Sequence, residues 1–157
     1  MEKLLKLSII LLILTTSFLG CNKKINTNQE SLSFKNLEYY INEETYFSIK
    51  QGIYKNNHIL FKDMKIVFKE GYTEIKEGYL DLNSLIVKPE KSLEIYTNDF
   101  IIDIQKDPII NLKKMQIEGY DTIIKNLKKE DKINKSYKIN IDIRNNKIYT
   151  YQNTGVW

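Results

Sequence analysis

The side chains that could perform chemistry are few, and their spacing does not assemble them. His58 is the only histidine and Cys21 the only cysteine in 157 residues. A Ser-His-Asp or Cys-His constellation would therefore have one imidazole and no thiol beyond position 21. His58 follows Asn56-Asn57, a pair that tolerates the positive φ of a tight hairpin turn, so it reads as a solvated surface imidazole. One histidine without a second ligand at a fixed spacing makes no zinc site. Asp99 with Asp103, and Glu43 with Glu44, are carboxylate pairs of the kind glycoside hydrolysis uses, but their settings mark them as ordinary surface acids. Gly52, Gly71, Gly78, Gly119 and Gly155 stand isolated, so no loop cradles a phosphate and each reads as a bulge or turn residue. The expectation is a protein that is not an enzyme, with no catalytic residue, no metal and no cofactor.

Cys21 offers a different chemistry. Lys3 and Lys6 precede an almost uncharged run of 13 residues, Leu7 to Leu19, which is shorter than the roughly 18 to 20 needed to span a bilayer. It reads as a cleaved export signal. Phe18-Leu19-Gly20-Cys21 resembles a bacterial lipobox, in which a small residue precedes a cysteine that is acylated and becomes the mature N-terminus. Phe18 and Leu19 depart from the commoner residues at those positions, and an ordinary signal with an incidental cysteine is the alternative. A lone cysteine in an exported chain has no disulfide partner, which favours Cys21 as a lipid anchor. Two or three acyl chains hold a protein durably on a membrane surface. The expected location is the periplasmic face of a cell membrane, inner or outer.

The elements that must position any site follow from composition and punctuation. Lysine supplies 23 of the 24 basic residues, and the chain holds 25 Ile, 16 Asn and no Ala, a bias expected of an A+T-rich coding sequence. Removing residues 1–20 leaves 22 basic and 19 acidic side chains, net +3. Because the two signs are interspersed, no stripe suits nucleic acid. Residues 1–20 form the signal peptide, 21–31 the lipidated cysteine and a polar tether, and 32–157 a single domain. Alternating apolar and polar residues predict strands over Leu32–Ile41, Thr45–Tyr54, His58–Lys69, Thr73–Leu80, Leu85–Lys88, Ser92–Thr97, Phe100–Gln105, Ile109–Ile117, Tyr137–Ile143 and Lys147–Tyr151. Asp121 to Asn134 breaks the pattern and reads as a short helix bearing Ile123, Ile124 and Leu127, or as a charged loop. Ile49-Lys50-Gln51-Gly52 recurs 26 residues later as Ile75-Lys76-Glu77-Gly78, which implies hairpin units that must stack to bury their apolar faces. The expected fold is all-β, an open β-jelly roll of stacked antiparallel hairpins.

Period-two alternation puts Phe47 with Ile49, Ile66 with Phe68, Leu93 with Ile95, and Phe100 with Ile102 and Ile104 on one face. Ile110 with Leu112, and Ile139 with Ile141 and Ile143, extend it, while Ser48, Lys50, Lys65, Glu94, Asn140 and Asp142 meet water. The inward set either fills a closed core or lines an apolar trough open to acyl chains. The acyl-chain candidates are Phe47, Ile49, Ile66, Phe68, Ile95, Phe100, Ile102 and Ile104.

Three stretches carry a family resemblance: Leu32-Ser33-Phe34-Lys35-Asn36-Leu37-Glu38-Tyr39, Phe47-Ser48-Ile49-Lys50-Gln51-Gly52-Ile53-Tyr54, and Leu60-Phe61-Lys62-Asp63-Met64-Lys65-Ile66-Val67-Phe68. Across Leu32 to Ile117 the chain resembles periplasmic lipopolysaccharide-transport proteins of the LptC and LptA/OstA kind, with Thr73 to Ile86 as a second pass of the unit. The resemblance implies a jelly roll open along one side, whose interior receives acyl chains of lipopolysaccharide and passes them along a protein bridge. Its sheet edges, near Leu32–Ile41 and Lys147–Tyr151, would join other jelly-roll transport proteins by strand addition. Such proteins are usually held by one membrane helix; an anchor at Cys21 gives the same tethering. The charged segment 125–135 has no counterpart in that pattern. The competing expectation is a surface or periplasmic lipoprotein with a closed core, used in adhesion or as a structural partner.

Overall fold

The computed structural model describes residues 31–128 and 133–152. They form one sheet of ten antiparallel strands: β1 (Leu32–Asn42), β2 (Thr45–Lys55), β3 (His58–Phe68), β4 (Gly71–Asp81), β5 (Ile86–Pro89), β6 (Leu93–Thr97), β7 (Phe100–Asn111), β8 (Gln116–Asn126), β9 (Ile133–Asp142) and β10 (Lys147–Tyr151). Neighbours in the sheet follow chain order, except that β5 and β6 share one place between β4 and β7. β5 pairs with the end of β4, from Gly78↔Pro89 to Asp81↔Ile86, and β6 with its beginning, from Gly71↔Thr97 to Thr73↔Ile95. The two are one strand interrupted at 90–92. The fold is all-β and jelly-roll-like, an open stack of antiparallel hairpins with β1 and β10 as its edges.

A lone sheet leaves one or both faces wet, yet 25 hydrophobic side chains among the described residues are less than 8% exposed and no described helix covers them. The sheet covers itself, and the burial pattern shows how. In β2, Phe47 and Ile49 point inward, Lys50 and Gln51 both point outward, and Gly52 is buried again. β1 does the same at Lys35-Asn36, β3 at Lys62-Asp63 and β4 at Lys76-Glu77. Register aligns these sites, with Lys35 opposite Gln51, Gln51 opposite Lys62 and Lys62 opposite Glu77. The row continues through Gln105-Lys106-Asp107 of β7, Tyr120-Asp121 of β8 and Tyr137-Lys138 of β9. Two successive outward side chains mark the convex side of a bend, so the row is an elbow along which the sheet folds. The arms on either side bury the same face into one apolar cluster, each fully buried aliphatic or Phe side chain contributing about 1.5–3 kcal/mol.

Asn36, Asp63, Asp107 and Asp121 take the left-handed region at the elbow, with φ between 48° and 55°, a conformation their short polar side chains tolerate best after glycine. On the facing strands the elbow uses close approach. A Cβ on Gly52 would stand 2.2 Å from Phe34 Cζ, and one on Gly78 would stand 2.5 Å from the Lys88 carbonyl oxygen. The 26-residue repeat is therefore this elbow unit: an inward Ile, two outward polar residues and a glycine against which a facing side chain or strand packs.

One end of the stack carries a second repeat. Asp81–Leu85, Asn111–Met115 and Asp142–Asn146 make similar turns, in which Oδ1 of the first residue accepts the backbone N–H of Asn83 (2.7 Å), Lys114 (2.9 Å) and Asn145 (3.0 Å) respectively. The fifth residue has positive φ in each: Leu85, Met115 and Asn146. That conformation is strained for Leu and Met, but both side chains are buried. Each turn leans on the one before it, since Leu82, Leu112 and Ile143 donate their N–H to the carbonyls of Asn57, Leu85 and Met115, all at 2.9 Å.

Two sequence expectations are corrected. Ile109–Ile117 is not one strand: it contains the Asn111–Met115 turn, while Asp107-Pro108 is a bulge inside β7, where the register shifts between Lys106 and Ile109. Asp121–Asn126 belongs to β8 and Ile133–Asn134 to β9, not to a helix or a loop. Asp121 reverses the alternation, so that Thr122 and Ile124 point inward and pair across to β7 and β9. Gly78→Ala should destabilise by about 1–3 kcal/mol, because a backbone carbonyl blocks the new methyl. Gly52→Ala, which meets only a ring on the edge strand, should cost less; urea midpoints of the two variants check the order.

Candidate functional site

All eight acyl-chain candidates lie in one arm. Phe47, Ile66, Ile95 and Ile102 fall on a single cross-strand row, Phe47↔Ile66↔Thr73↔Ile95↔Ile102↔Ile124. Ile49 and Ile104 lie on the next row toward the elbow, opposite Met64 and Leu93. Phe68 and Phe100 lie farther out, near the arm's tip. Seven of the eight are between 0% and 7% exposed, and Phe100 is half-buried. The facing arm contributes Phe34, Ile59, Phe61, Leu80, Val87, Ile110, Ile117, Ile139 and Ile141, of which the candidate set names none. The signal for that wall was in the sequence: the paired polar residues in Ile-Lys-Gln/Glu-Gly reverse the alternation and turn the far half of each strand onto the same interior.

The interior carries no charge among the described residues; its buried polar groups are Thr45, Thr73, Thr122 and Ser136. Thr73 Oγ1 donates to the Glu94 carbonyl at 2.6 Å. Ser136 Oγ lies 2.7 Å from the Lys138 carbonyl and 3.0 Å from that of Tyr151, tying β10 to β9 beyond their last ladder pair. Among the buried polar side-chain atoms of the described residues, only Thr122 Oγ1 lacks a hydrogen-bond partner. Half-buried apolar groups rim the free edges: Leu32, Tyr39, Ile41 and Tyr54 beside β1, and Ile143 and Ile148 beside β10. Among the described residues this interior consists of aliphatic and aromatic side chains packed against one another, with no charged group among them.

The polar candidates are dispersed over the outside. His58 Nδ1 is 2.8 Å from the Asn56 carbonyl at the first hairpin turn. Glu44 pairs with Lys69 at 3.2 Å and Asp99 with Lys128 at 2.6 Å, while Asp103 accepts from the Gln105 amide. No group of three His, Cys, Asp or Glu residues able to hold a metal occurs among the described residues. The hydroxyls of Tyr40 and Tyr96 have raised pKa values because each donates to a carboxylate two residues back, Glu38 and Glu94. Cys21, the expected signal and all but Ser31 of the expected tether lie outside the described residues. No protein-family model matches the sequence, and no curated protein is significantly similar to it.

Two turn carboxylates do titrate abnormally. Partial burial opposes the charge on Asp81, but donors from the Asn83 N–H and from the Ser84 hydroxyl and N–H outweigh it and hold the group below its ordinary 3.8. The Asn145 side-chain amide, then its N–H, hold Asp142 below the same value. A lowered native value adds stability that is complete above about pH 4 and is lost as pH falls through the native pKa. Asp81→Asn and Asp142→Asn, which copy Asn111 of the middle turn, should therefore flatten the acid limb of the stability curve in urea unfolding across pH 2–5. For the interior, Ile102→Asp should cost more than about 4 kcal/mol by burying an unpaired charge. Ile53→Asp on the exposed outer surface should stay folded; circular dichroism melts separate the two.

Proposed function

We propose that this chain is a membrane-tethered, non-catalytic lipid-transport component that holds acyl chains of lipopolysaccharide between the arms of its sheet and passes them along a protein bridge. The observation that carries the reading is how the interior is closed. The arms meet through apolar side chains, and no strand pairing joins β1 to β10. The arms can part about the elbow without breaking a sheet ladder. Acyl chains entering from an edge then replace side-chain contacts with others of equal polarity, so the exchange costs little compared with exposing the same surface to water. The free edges β1 and β10 suit strand addition by neighbouring jelly rolls, and Cys21 supplies the anchor.

The packing favours a second reading. Seven of the eight candidate residues are less than 8% exposed, as in a permanently closed core. The chain is then a surface or periplasmic lipoprotein acting in adhesion or as a structural partner, with exposed tyrosines such as Tyr137, Tyr149 and Tyr151 making the contacts. Native mass spectrometry of the chain from Asn22 to Trp157, purified from cells that make lipopolysaccharide, decides between them. The transport reading expects a glycolipid or phospholipid that is released on denaturation. A clean apo mass that persists after incubation with lipopolysaccharide sinks it and leaves the closed-core lipoprotein.

A further inference from the structure

The two outer faces carry exposed apolar groups in opposite electrostatic settings. Outside the candidate arm, register lines up Tyr40, Tyr46, Val67, Tyr72, Tyr96 and Ile101 across six strands. Acids outnumber bases beside this ladder: Glu38 and Glu94 accept from its tyrosine hydroxyls, and Glu74 and Asp103 lie on the neighbouring row. The bases are Lys65, paired with Glu74 at 3.0 Å and 4.3 Å from the Tyr72 ring, and Lys125, opposite Ile101. Outside the other arm, Ile53, Leu60 and Tyr79 stand side by side on β2, β3 and β4, with Ser33 and Lys88 at the two ends of the same row. Ile53 and Leu60 are 44% and 56% exposed.

Lysines frame this second patch. Lys88 lies 5.8 Å from the Tyr79 ring, and Lys35 and Lys62 occupy the row next to it on the elbow side. Lys55 and His58 bound it on the turn side, where they line a shallow groove with Leu60 and Tyr79. The nearest acids are Glu77, ion-paired to Lys62 at 3.4 Å, and Asp81, bound into its turn.

We propose that the Ile53–Leu60–Tyr79 patch is a membrane-docking face that lies on the anionic lipid surface holding the anchor. The proposal rests on the reading of Cys21 as lipidated. Charge chooses the occupant: lysines around exposed aliphatic side chains suit anionic headgroups, which repel the carboxylate-lined ladder on the other face. Chain geometry agrees. The sheet begins at Leu32, opposite Tyr54, and Ser33 is directly opposite Ile53, so the tether enters beside the patch. Residues 22–31 span at most about 36 Å when fully extended, which keeps the patch within reach of the bilayer. Leu60 and Ile53 enter the headgroup boundary, while the lysine stems lie along them with their ammonium groups at the phosphates.

The test uses residues 21–157 with Cys21→Ser, which contain all ten strands and carry no acyl group, in co-sedimentation with vesicles. Binding to vesicles of phosphatidylglycerol and phosphatidylcholine is expected, weakening steeply with salt and falling at least about ten-fold on phosphatidylcholine alone. Leu60→Asp should lose at least about ten-fold in affinity with an unchanged thermal melt, while Tyr40→Asp on the acidic face should bind as the parent does. No binding to the anionic vesicles, or equal binding by the parent and Leu60→Asp, overturns the proposal. The mass of the exported full-length product tests the anchor separately. A processed chain without acyl groups defeats the anchor reading, and vesicle binding that still depends on Leu60 then supports the docking face by itself.

Discussion

A broad sheet with no covering helix among the described residues has to bury its own apolar side, and in this protein the elbow that crosses its long strands makes that possible. One row of doubled outward residues converts a flat alternation into two arms that share an interior. Remove the doubling and the far half of each strand would present its Ile and Phe residues to water. The cost is borne locally, by Asn and Asp in left-handed backbone and by glycines pressed against Phe34 and the Lys88 carbonyl.

The elbow also sorts charge. Its outward positions are mostly polar, and some pair across strands, as in Lys76–Asp63 and Lys62–Glu77, both at 3.4 Å. Exposed pairs of this kind contribute little to stability, and their effect is to keep the convex ridge solvated. The chemistry is thereby divided in space, with an uncharged interior, a polar ridge, and two outer faces whose exposed apolar groups sit among different charges.

The stacked turns give the sheet its length. The first two place buried Leu and Met side chains at the end of the interior and the third the half-buried Ile143, and each bonds to the turn before it, so hairpins add one after another as in a repeat protein. Nothing in this growth closes β1 onto β10. At those two edges the interior is bordered by half-buried side chains and not by strand pairing.

Alternation within strands is a local property, so the all-β class, eight of the ten strands to within a few residues, and the inward set from Phe47 to Ile104 were legible in the residues alone. Where a bulge or a turn changed the count, local reading failed. Pro108 sits inside β7, Asn111–Met115 is a turn within a run of Ile and Leu, and Asp121 continues β8 by reversing its phase. The 26-residue repeat was visible as a match of letters, but its meaning as an elbow needed the register of neighbouring strands. It took the folded sheet to show that all eight candidates share one arm, that a second wall faces them, and that Ile53, Leu60 and Tyr79 meet on one outer face. Each of those facts depends on which strand lies beside which, and pairing across a sheet is set by the whole chain folding at once.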